Sequence, residues 1–547
     1  PLPRNLPFGY HRLRVEADAA AEARLIVAPP AMHDGPRAAG VFAPVYAVRG
    51  ERDYGCGDLG SFAGLIDVVS ELGGSLVATL PILSAFMDEP FDPSPYAPVS
   101  RLHWNEIYLD IDAVPEFADS EQARALAKEL APKIRGLRRK QDVDYRGVSA
   151  VKRRVLEACA ASLSGKRRRE MDAWLRENPV TLEYARFRAE TERSGLPWQA
   201  WPGTAKLRRG GDAEKYHVYA QWLMNEQLAR AGREADDKGV HLYFDLPLGV
   251  HPDGFDTWRY GEVFAFGVSG GAPPDSFFTK GQNWRFPPLH PERIRETGYS
   301  YVIESLRALL RHARILRIDH VMSLHRLFWV PDGFDATDGV YVRSNPDEWY
   351  AILALESHRA GAAIVGEDLG TVPGEVRTAM ARNNLLRSYV LQEELPDSPK
   401  QVPNPIPARA LAGLNTHDMP TFASFWNGKD IDDRVGLGLF TPAQAEKERT
   451  RRAKTTKRLS ASLRGRKLLK GRGADAALDA SLALLAGGRA RMRCVSIEDL
   501  WLEERQQNVP GTTSDEQPNW RHKLRYTLEE IRGDPAVAAR IRTLTRR

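Results

Sequence analysis

The stretch Arg314-Ile315-Leu316-Arg317-Ile318-Asp319-His320 mixes basic and apolar residues and ends on an acid. It reads as a strand, in which residues two apart share a face, so Arg317 and Asp319 are predicted to point the same way at its end. A guanidinium beside a carboxylate favours the ionised form that a nucleophile needs. Taken alone, the same pair also reads as a structural ion pair. Gly366-Glu367-Asp368-Leu369-Gly370 places a glutamate at another strand end, between glycines that let a ligand approach the backbone. In a partly apolar cleft such a glutamate can have its pKa raised enough to donate a proton near neutrality; the bland alternative is an acidic helix-capping turn. Asn415-Thr416-His417-Asp418-Met419-Pro420-Thr421 sets a His-Asp pair just past a further strand. A metal reading lacks a second histidine or cysteine at ligand spacing, and a Ser-His-Asp triad lacks the G-x-S-x-G elbow.

Elements able to position these residues recur along the chain. Apolar runs of strand length occur at 40–46, 75–82, 240–245, 314–319, 362–367, 387–391, 411–416 and 493–498. Between them lie helical patterns: one after Asp58, a plausible N-cap, stopped by Gly73-Gly74, and others at 301–312, from Asn345-Pro346-Asp347 to His358, and from Pro373. Eight short strands separated by helices predict an α/β fold, a (β/α)8 TIM barrel with large, mainly helical insertions; a doubly wound sheet is the alternative. Barrels gather reactive groups at the C-terminal ends of their strands. Asp245, Asp319, Glu367, Asp418 and the Glu498-Asp499 pair all fall there, predicting a carboxylate-lined site.

At 547 residues, 42% hydrophobic and 27% charged, the chain is globular and long enough for one large barrel with inserts. A net charge of +5 implies no polyanionic partner, and the arginine and lysine clusters at 135–140, 152–154 and 166–169 read as solvated helix faces rather than a nucleic-acid surface. Cys56, Cys159 and Cys494 lie too far apart for a disulfide or metal framework. No apolar run approaches the roughly 18 residues of a membrane span and no signal peptide is visible, so a cytoplasmic protein without membrane contact is expected. The chain starts at Pro1, and residues 1–39, with strand-like pieces at 10–15 and 23–28, read as the tail of an N-terminal β module that began upstream. Residues 40–547 form the barrel, with inserted subdomains expected at about 86–238, 249–300 and 425–491.

Two loop motifs suit sugars. Ser94-Pro95-Tyr96-Ala97-Pro98 and Gly281-Gln282-Asn283-Trp284 bring aromatic faces and amides to a barrel mouth, although each aromatic alone reads as core. Gly55-Cys56-Gly57-Asp58-Leu59-Gly60 matches G-x-G-x-x-G, but its loop is too long for a tight βα turn and the next strand lacks the ribose-binding acid, so the glycines read as loop geometry.

In this order the motifs resemble the 4-α-glucanotransferase family (amylomaltase, or disproportionating enzyme), relatives of the α-amylases. The similarity spans about residues 40–526 and adds Asp92-Pro93-Ser94-Pro95-Tyr96, Asp245-Leu246-Pro247-Leu248-Gly249-Val250, Gly366 to Pro373 and Asn508-Val509-Pro510-Gly511-Thr512. Gly9-Tyr10-His11-Arg12-Leu13 resembles the end of an N-terminal domain of longer bacterial members. The resemblance implies that Asp319 is the nucleophile, Glu367 the general acid/base and Asp418 the transition-state stabiliser. Arg317 and His417 would serve the scissile-bond subsite, and Tyr96, Asp245, Gln282, Trp284 and Asn508 would contact sugars. The chain departs from the pattern at Trp104-Asn105-Glu106-Ile107 and at Gln392-Glu393-Glu394, which bears on acceptor preference.

The implied reaction is retaining transglycosylation on maltooligosaccharides and α-1,4-glucans by a monomer or homodimer, with the two reacting carboxyls roughly 5–5.5 Å apart. It requires no metal or organic cofactor. One rival is a retaining α-glucan hydrolase with the same acids; the other is a non-catalytic glucan-binding protein on a decayed barrel.

Overall fold

A computed structural model describes residues 3, 5–15, 21–201, 207, 209–274, 280–395, 402–513 and 516–546. Among them, eight parallel strands close into a barrel: β1 (Ala38–Phe42), β2 (Leu76–Ala78), β3 (His241–Leu246), β4 (Ile315–Ile318), β5 (Ala363–Gly366), β6 (Leu386–Val390), β7 (Ala410–Gly413) and β8 (Met492–Ser496). Each strand neighbours its successor in sequence, and β8 pairs with β1. Parallel strands covered on both faces need continuous apolar runs, and Ile315, Leu316, Ala363, Ile364 and Val365 are accordingly buried.

The chain forms two compact units. The first comprises Pro1–Pro36, Tyr96–Leu102 and Tyr243–Ser388. Its ladder sets Arg317 of β4 level with Asp245 of β3 and Val365 of β5, and Ile318 level with Gly366. The residues that follow, Asp319 and Glu367, therefore leave adjacent strands at the same height. Helices Ser300–Leu310, Pro346–Ala360 and Gly374–Arg382 belong to this unit. Pro373 is the N-cap of the last rather than part of its first turn. Strands Gly9–Val15 and Ala21–Val27 form an antiparallel hairpin; residues 1, 2, 4 and 16–20 of the expected N-terminal module lie outside the described residues.

One sheet in this unit has no counterpart in the sequence reading. Val340–Arg343, Arg326–Pro331, Val268–Ala272 and Gln282–Asn283 form a four-stranded antiparallel sheet. Val268–Ala272 has no alternating pattern because its backbone approaches its neighbours too closely: a Cβ on Gly271 would lie 2.3 Å from the Gln282 carbonyl oxygen. Residues 275–279 of the expected 249–300 insert lie outside the described residues.

The second unit comprises Arg37–Pro95, His103–Leu242 and Tyr389–Arg547. The Asp58 carboxylate accepts the Ser61 N–H at 2.9 Å and caps helix Leu59–Glu71, as predicted. Helices Glu121–Arg139, Tyr145–Ser162, Gly165–Glu177, Val180–Ser194 and Asp212–Asp237 fill the region between β2 and β3; its residues 202–206 and 208 lie outside the described set. Three expectations are corrected. The run 40–46 stops as a strand at Phe42 and, after Pro44, turns into a short 3-10 helix at Val45–Ala47. The run 75–82 holds only three strand residues, Leu76–Ala78, and beyond them the Thr79 hydroxyl accepts the Val45 N–H at 3.1 Å. The basic segment after residue 442 is two helices, Pro442–Gly465 and Gly473–Ala486, separated by a turn.

Candidate active site

In the first unit, the side chains beyond β3, β4 and β5 converge. Arg317 is buried, and its Nη1 donates to Asp245 Oδ1 at 2.9 Å and Oδ2 at 2.7 Å. The same nitrogen lies 2.9 Å from Asp319 Oδ1, so the shared face predicted for Arg317 and Asp319 is present. Burial works against the guanidinium's charge, but Asp245 and Asp319 outweigh it and hold its pKa above the ordinary arginine value. The Tyr96 hydroxyl donates to Asp245 Oδ2 at 2.7 Å. Asp245, 3% exposed at its side chain, thus braces Arg317, while Asp319 keeps 22% exposure. The Leu248 N–H approaches Asp319 Oδ2 at 3.4 Å.

Glu367 leaves β5 beside this cluster. Its Oε1 accepts the Leu369 N–H at 2.6 Å and its Oε2 the His320 N–H at 3.1 Å. Burial, with a smaller push from Asp319, raises its pKa to about 7 against the opposing pull of Arg317 and the two N–H donors. His320 delivers its N–H from a left-handed conformation, φ 47° and ψ 65°, sparsely populated by non-glycine residues and common at functional sites. Its ring is desolvated, which depresses its pKa to about 4, so it is neutral at pH 7. The Trp284 ring meets it edge-on at 5.1 Å and stacks on Phe286 at 6.2 Å, and Trp284 Nε1 donates to Gln282 Oε1 at 3.3 Å. Asp368, the next acid, turns away: buried, it accepts from Arg387 Nε at 2.7 Å and the Ser388 N–H at 2.9 Å.

In the second unit, Asp418 lies beyond β7. Its Oδ1 accepts from Asn508 Nδ2 at 2.6 Å, and its Oδ2 lies 3.3 Å from His417 Nε2. His417 is held between rings, 5.9 Å from Phe42 and 5.8 Å from Trp520.

The Glu498-Asp499 pair does not line an open site, contrary to expectation. Asp499 is 0% and Glu498 2% exposed. Asp499 accepts the Phe422 N–H at 2.6 Å and Asn415 Nδ2 at 2.9 Å, pinning the segment that carries His417 and Asp418. Glu498 accepts from Gln507 Nε2 at 2.9 Å, next to Asn508. Burial pushes both carboxyls up, to about 8 and about 7. They position the Asp418 cluster from behind. The sequence reading also missed the backbone donors of Leu248, His320 and Leu369, for which residue type gives no signal beyond the mild tolerance of histidine for positive φ.

A parallel eight-stranded barrel presenting an anchored aspartate and a half-buried, readily protonated glutamate at adjacent strand ends defines a class: an enzyme of acid/base glycoside chemistry. The comparisons with known proteins fix the family. Residues 43–528 match the 4-alpha-glucanotransferase family and residues 1–29 the MalQ N-terminal beta sandwich domain, and the chain belongs to the 4-alpha-glucanotransferase family. It is 35% identical over 560 residues to a 4-alpha-glucanotransferase of Mycobacterium tuberculosis, covering 96% of this chain and 77% of that one. A Haemophilus influenzae 4-alpha-glucanotransferase is 31% identical, with 97% and 82% covered. Among solved structures, amylomaltase from Corynebacterium glutamicum superposes with a TM-score of 0.90 at 30% identity, over 100% of this chain and 81% of that one. Amylomaltase from Streptococcus agalactiae, in complex with acarbose, shares the fold at TM-score 0.74 and 20% identity, over 93% and 98%. The chain is a glycosyl-transferring enzyme acting on α-glucans, rather than the hydrolase or the non-catalytic barrel the sequence left open. Among the described residues no helix is long and apolar enough to cross a membrane.

Proposed function

We propose that this enzyme moves α-1,4-glucan segments between maltooligosaccharides by a retaining double displacement, with Asp319 as nucleophile, Glu367 as general acid/base and Asp418 as transition-state stabiliser. The observation that carries the reading is the pairing of Glu367, its carboxyl raised to about 7, with Asp319, anchored by Arg317 one strand away. Glu367 protonates the glycosidic oxygen as Asp319 attacks the anomeric carbon, giving a glucosyl-enzyme and a shortened glucan. Deprotonated Glu367 then takes the proton from the 4-hydroxyl of an incoming glucan, which displaces Asp319 with a second inversion. Asp418, fixed by Asn508, holds sugar hydroxyls more tightly as the ring flattens. Arg317 and His417 shape the scissile-bond subsite. Trp284 offers a ring face and Gln282 an amide to further glucose units, and Tyr96 and Asp245, paired with each other beside Arg317, complete the sugar contacts.

The reading includes a cytoplasmic monomer or homodimer, an N-terminal β module ending near residue 39, and barrel insertions at about 86–238, 249–300 and 425–491. Incubation with maltotriose alone, followed by thin-layer chromatography, tests the reaction. A ladder of longer oligomers with glucose or maltose is expected; only shorter sugars would refute transfer between maltooligosaccharides.

A further inference from the structure

The segment 96–102 runs along the loop that follows β3 and reaches the candidate nucleophile through it. The Pro98 carbonyl accepts the His251 N–H at 2.9 Å and the Val99 carbonyl the Asp256 N–H at 3.3 Å. The Arg101 N–H donates to Asp256 Oδ2 at 2.7 Å, and the Tyr301 hydroxyl donates to the same oxygen at 2.6 Å. The Arg101 side chain, in a residue only 5% exposed, sends Nη2 to the Leu248 carbonyl oxygen, and its guanidinium carbon lies 5.9 Å from the centroid of the Tyr301 ring. Leu248 is therefore held through both backbone groups: its carbonyl by Arg101, while its N–H faces Asp319 Oδ2 at 3.4 Å. The next residue leaves the loop no slack, since a Cβ on Gly249 would lie 2.5 Å from the Phe286 ring, which stacks on Trp284.

We propose that Arg101 is a positioning residue for the nucleophile: by fixing Leu248 it aims the Leu248 N–H at Asp319 and sets the orientation of that carboxylate. The inference rests on Asp319 being the nucleophile. Arg317 restrains one carboxylate oxygen, and one restraint leaves rotation about the Cβ–Cγ bond open; the Leu248 N–H supplies the second. A buried guanidinium is costly to desolvate; among the described residues Arg101 Nε finds no partner, while Nη2 reaches the Leu248 carbonyl, and an apolar side chain of similar length would fill the same space. What the guanidinium adds is the grip on Leu248. Asp256, itself fully buried, accepts the Arg101 backbone N–H and so locks the backbone of Arg101.

The test compares two donors: maltotriose, whose leaving group needs a proton, and α-maltosyl fluoride, whose leaving group needs little acid help. Arg101→Met is expected to lower kcat roughly 100-fold, the scale of a 1 Å misplacement of a reacting group, and equally on both donors. KM for maltotriose should stay within threefold and the melting temperature within a few degrees. Arg101→Lys, which restores a cationic N–H donor, should recover at least tenfold of the loss. A kcat within threefold of the parent, a defect confined to maltotriose, or no recovery by a folded Arg101→Lys would each overturn the inference. If Arg101→Met does not melt cooperatively, Arg101→Leu, which likewise has no donor, is read by the same criteria. Asp319→Asn, run alongside, separates the two claims: activity in that variant defeats the assignment of the nucleophile, whereas an inactive Asp319→Asn with a fully active Arg101→Met defeats the Arg101 role alone.

Discussion

Replacing Glu367 with glutamine should make the fold more stable at alkaline pH while removing most of the activity. In the native state burial raises this carboxyl from the ordinary 4.5 to about 7. Between those values the folded protein holds a proton that the unfolded chain has released, so stability falls as pH rises through the interval and the loss is complete above about 7. The full difference corresponds to about 3 kcal/mol, and because solvent reaches part of the side chain we expect about 2–3 kcal/mol. Glutamine cannot ionise and escapes this loss. It carries a constant cost instead, because one of the N–H donors now at Glu367, from His320 or Leu369, must face an amide NH2, worth about 1–2 kcal/mol at every pH. The difference in melting temperature, variant minus parent, should therefore be flat or slightly negative near pH 4.5 and climb by a few degrees by pH 8. Other buried groups, among them Glu498 and Asp499, which share no partner with Glu367, titrate in both proteins and cancel in the difference. Scanning calorimetry or fluorescence melts across pH 4.5–8.5 supply the curve. A difference that stays constant with pH would refute a half-buried, proton-holding Glu367. In the same variant, turnover of maltotriose should drop by several orders of magnitude while α-maltosyl fluoride is still consumed at the first step; equal loss on both donors would remove Glu367 from the role of acid.

Asp319→Asn should lower transfer by several orders of magnitude on every donor without unfolding the protein; activity within tenfold of the parent by product chromatography would overturn its assignment. Asn508→Ala frees Asp418 Oδ1 from its 2.6 Å partner, and kcat for maltotriose should fall about 100-fold, the low end of an oxyanion-scale effect, with melting unchanged; an unaltered kcat would show that Asp418 needs no such restraint. Asp499→Ala leaves the Phe422 N–H and the Asn415 amide without their acceptor and should cost about 2–4 kcal/mol by urea denaturation. A loss below 1 kcal/mol would refute its bracing role.

What the sequence disclosed, and what it hid, follow from how local each determinant is. The barrel was legible because a parallel strand buried on both faces must be apolar along its length, and Ile315-Leu316 or Ala363-Ile364-Val365 can be little else. The acids were legible because a carboxylate directly after such a run sits at a strand end whatever the rest of the chain does. Local patterns also overreach. Val45 and Tyr46 continue an apolar run but lie in a 3-10 turn after Pro44, and the run 493–498 stops as a strand at Ser496, leaving Glu498 and Asp499 in a 3-10 helix, Ile497–Trp501, with their carboxyls buried. What separates the acids is partly local, Arg317 standing two residues before Asp319, and partly not: Asn415 and the Phe422 N–H, about 80 positions away, claim Asp499.

The same logic explains why the parts that orient the reacting groups were invisible. Arg101 and Leu248 are 147 positions apart, His320 N–H and Glu367 are 47 apart, and in each pair one partner is a backbone group, which side-chain chemistry does not announce. Side chains that carry chemistry must be particular letters. Groups that aim them need only be in the right place, and place is set by register: Arg317 level with Asp245, and Ile318 level with Gly366. The Arg101 and Asn508 variants, which leave all three proposed catalytic carboxylates intact, therefore probe the part of this enzyme that composition and motif could not reveal.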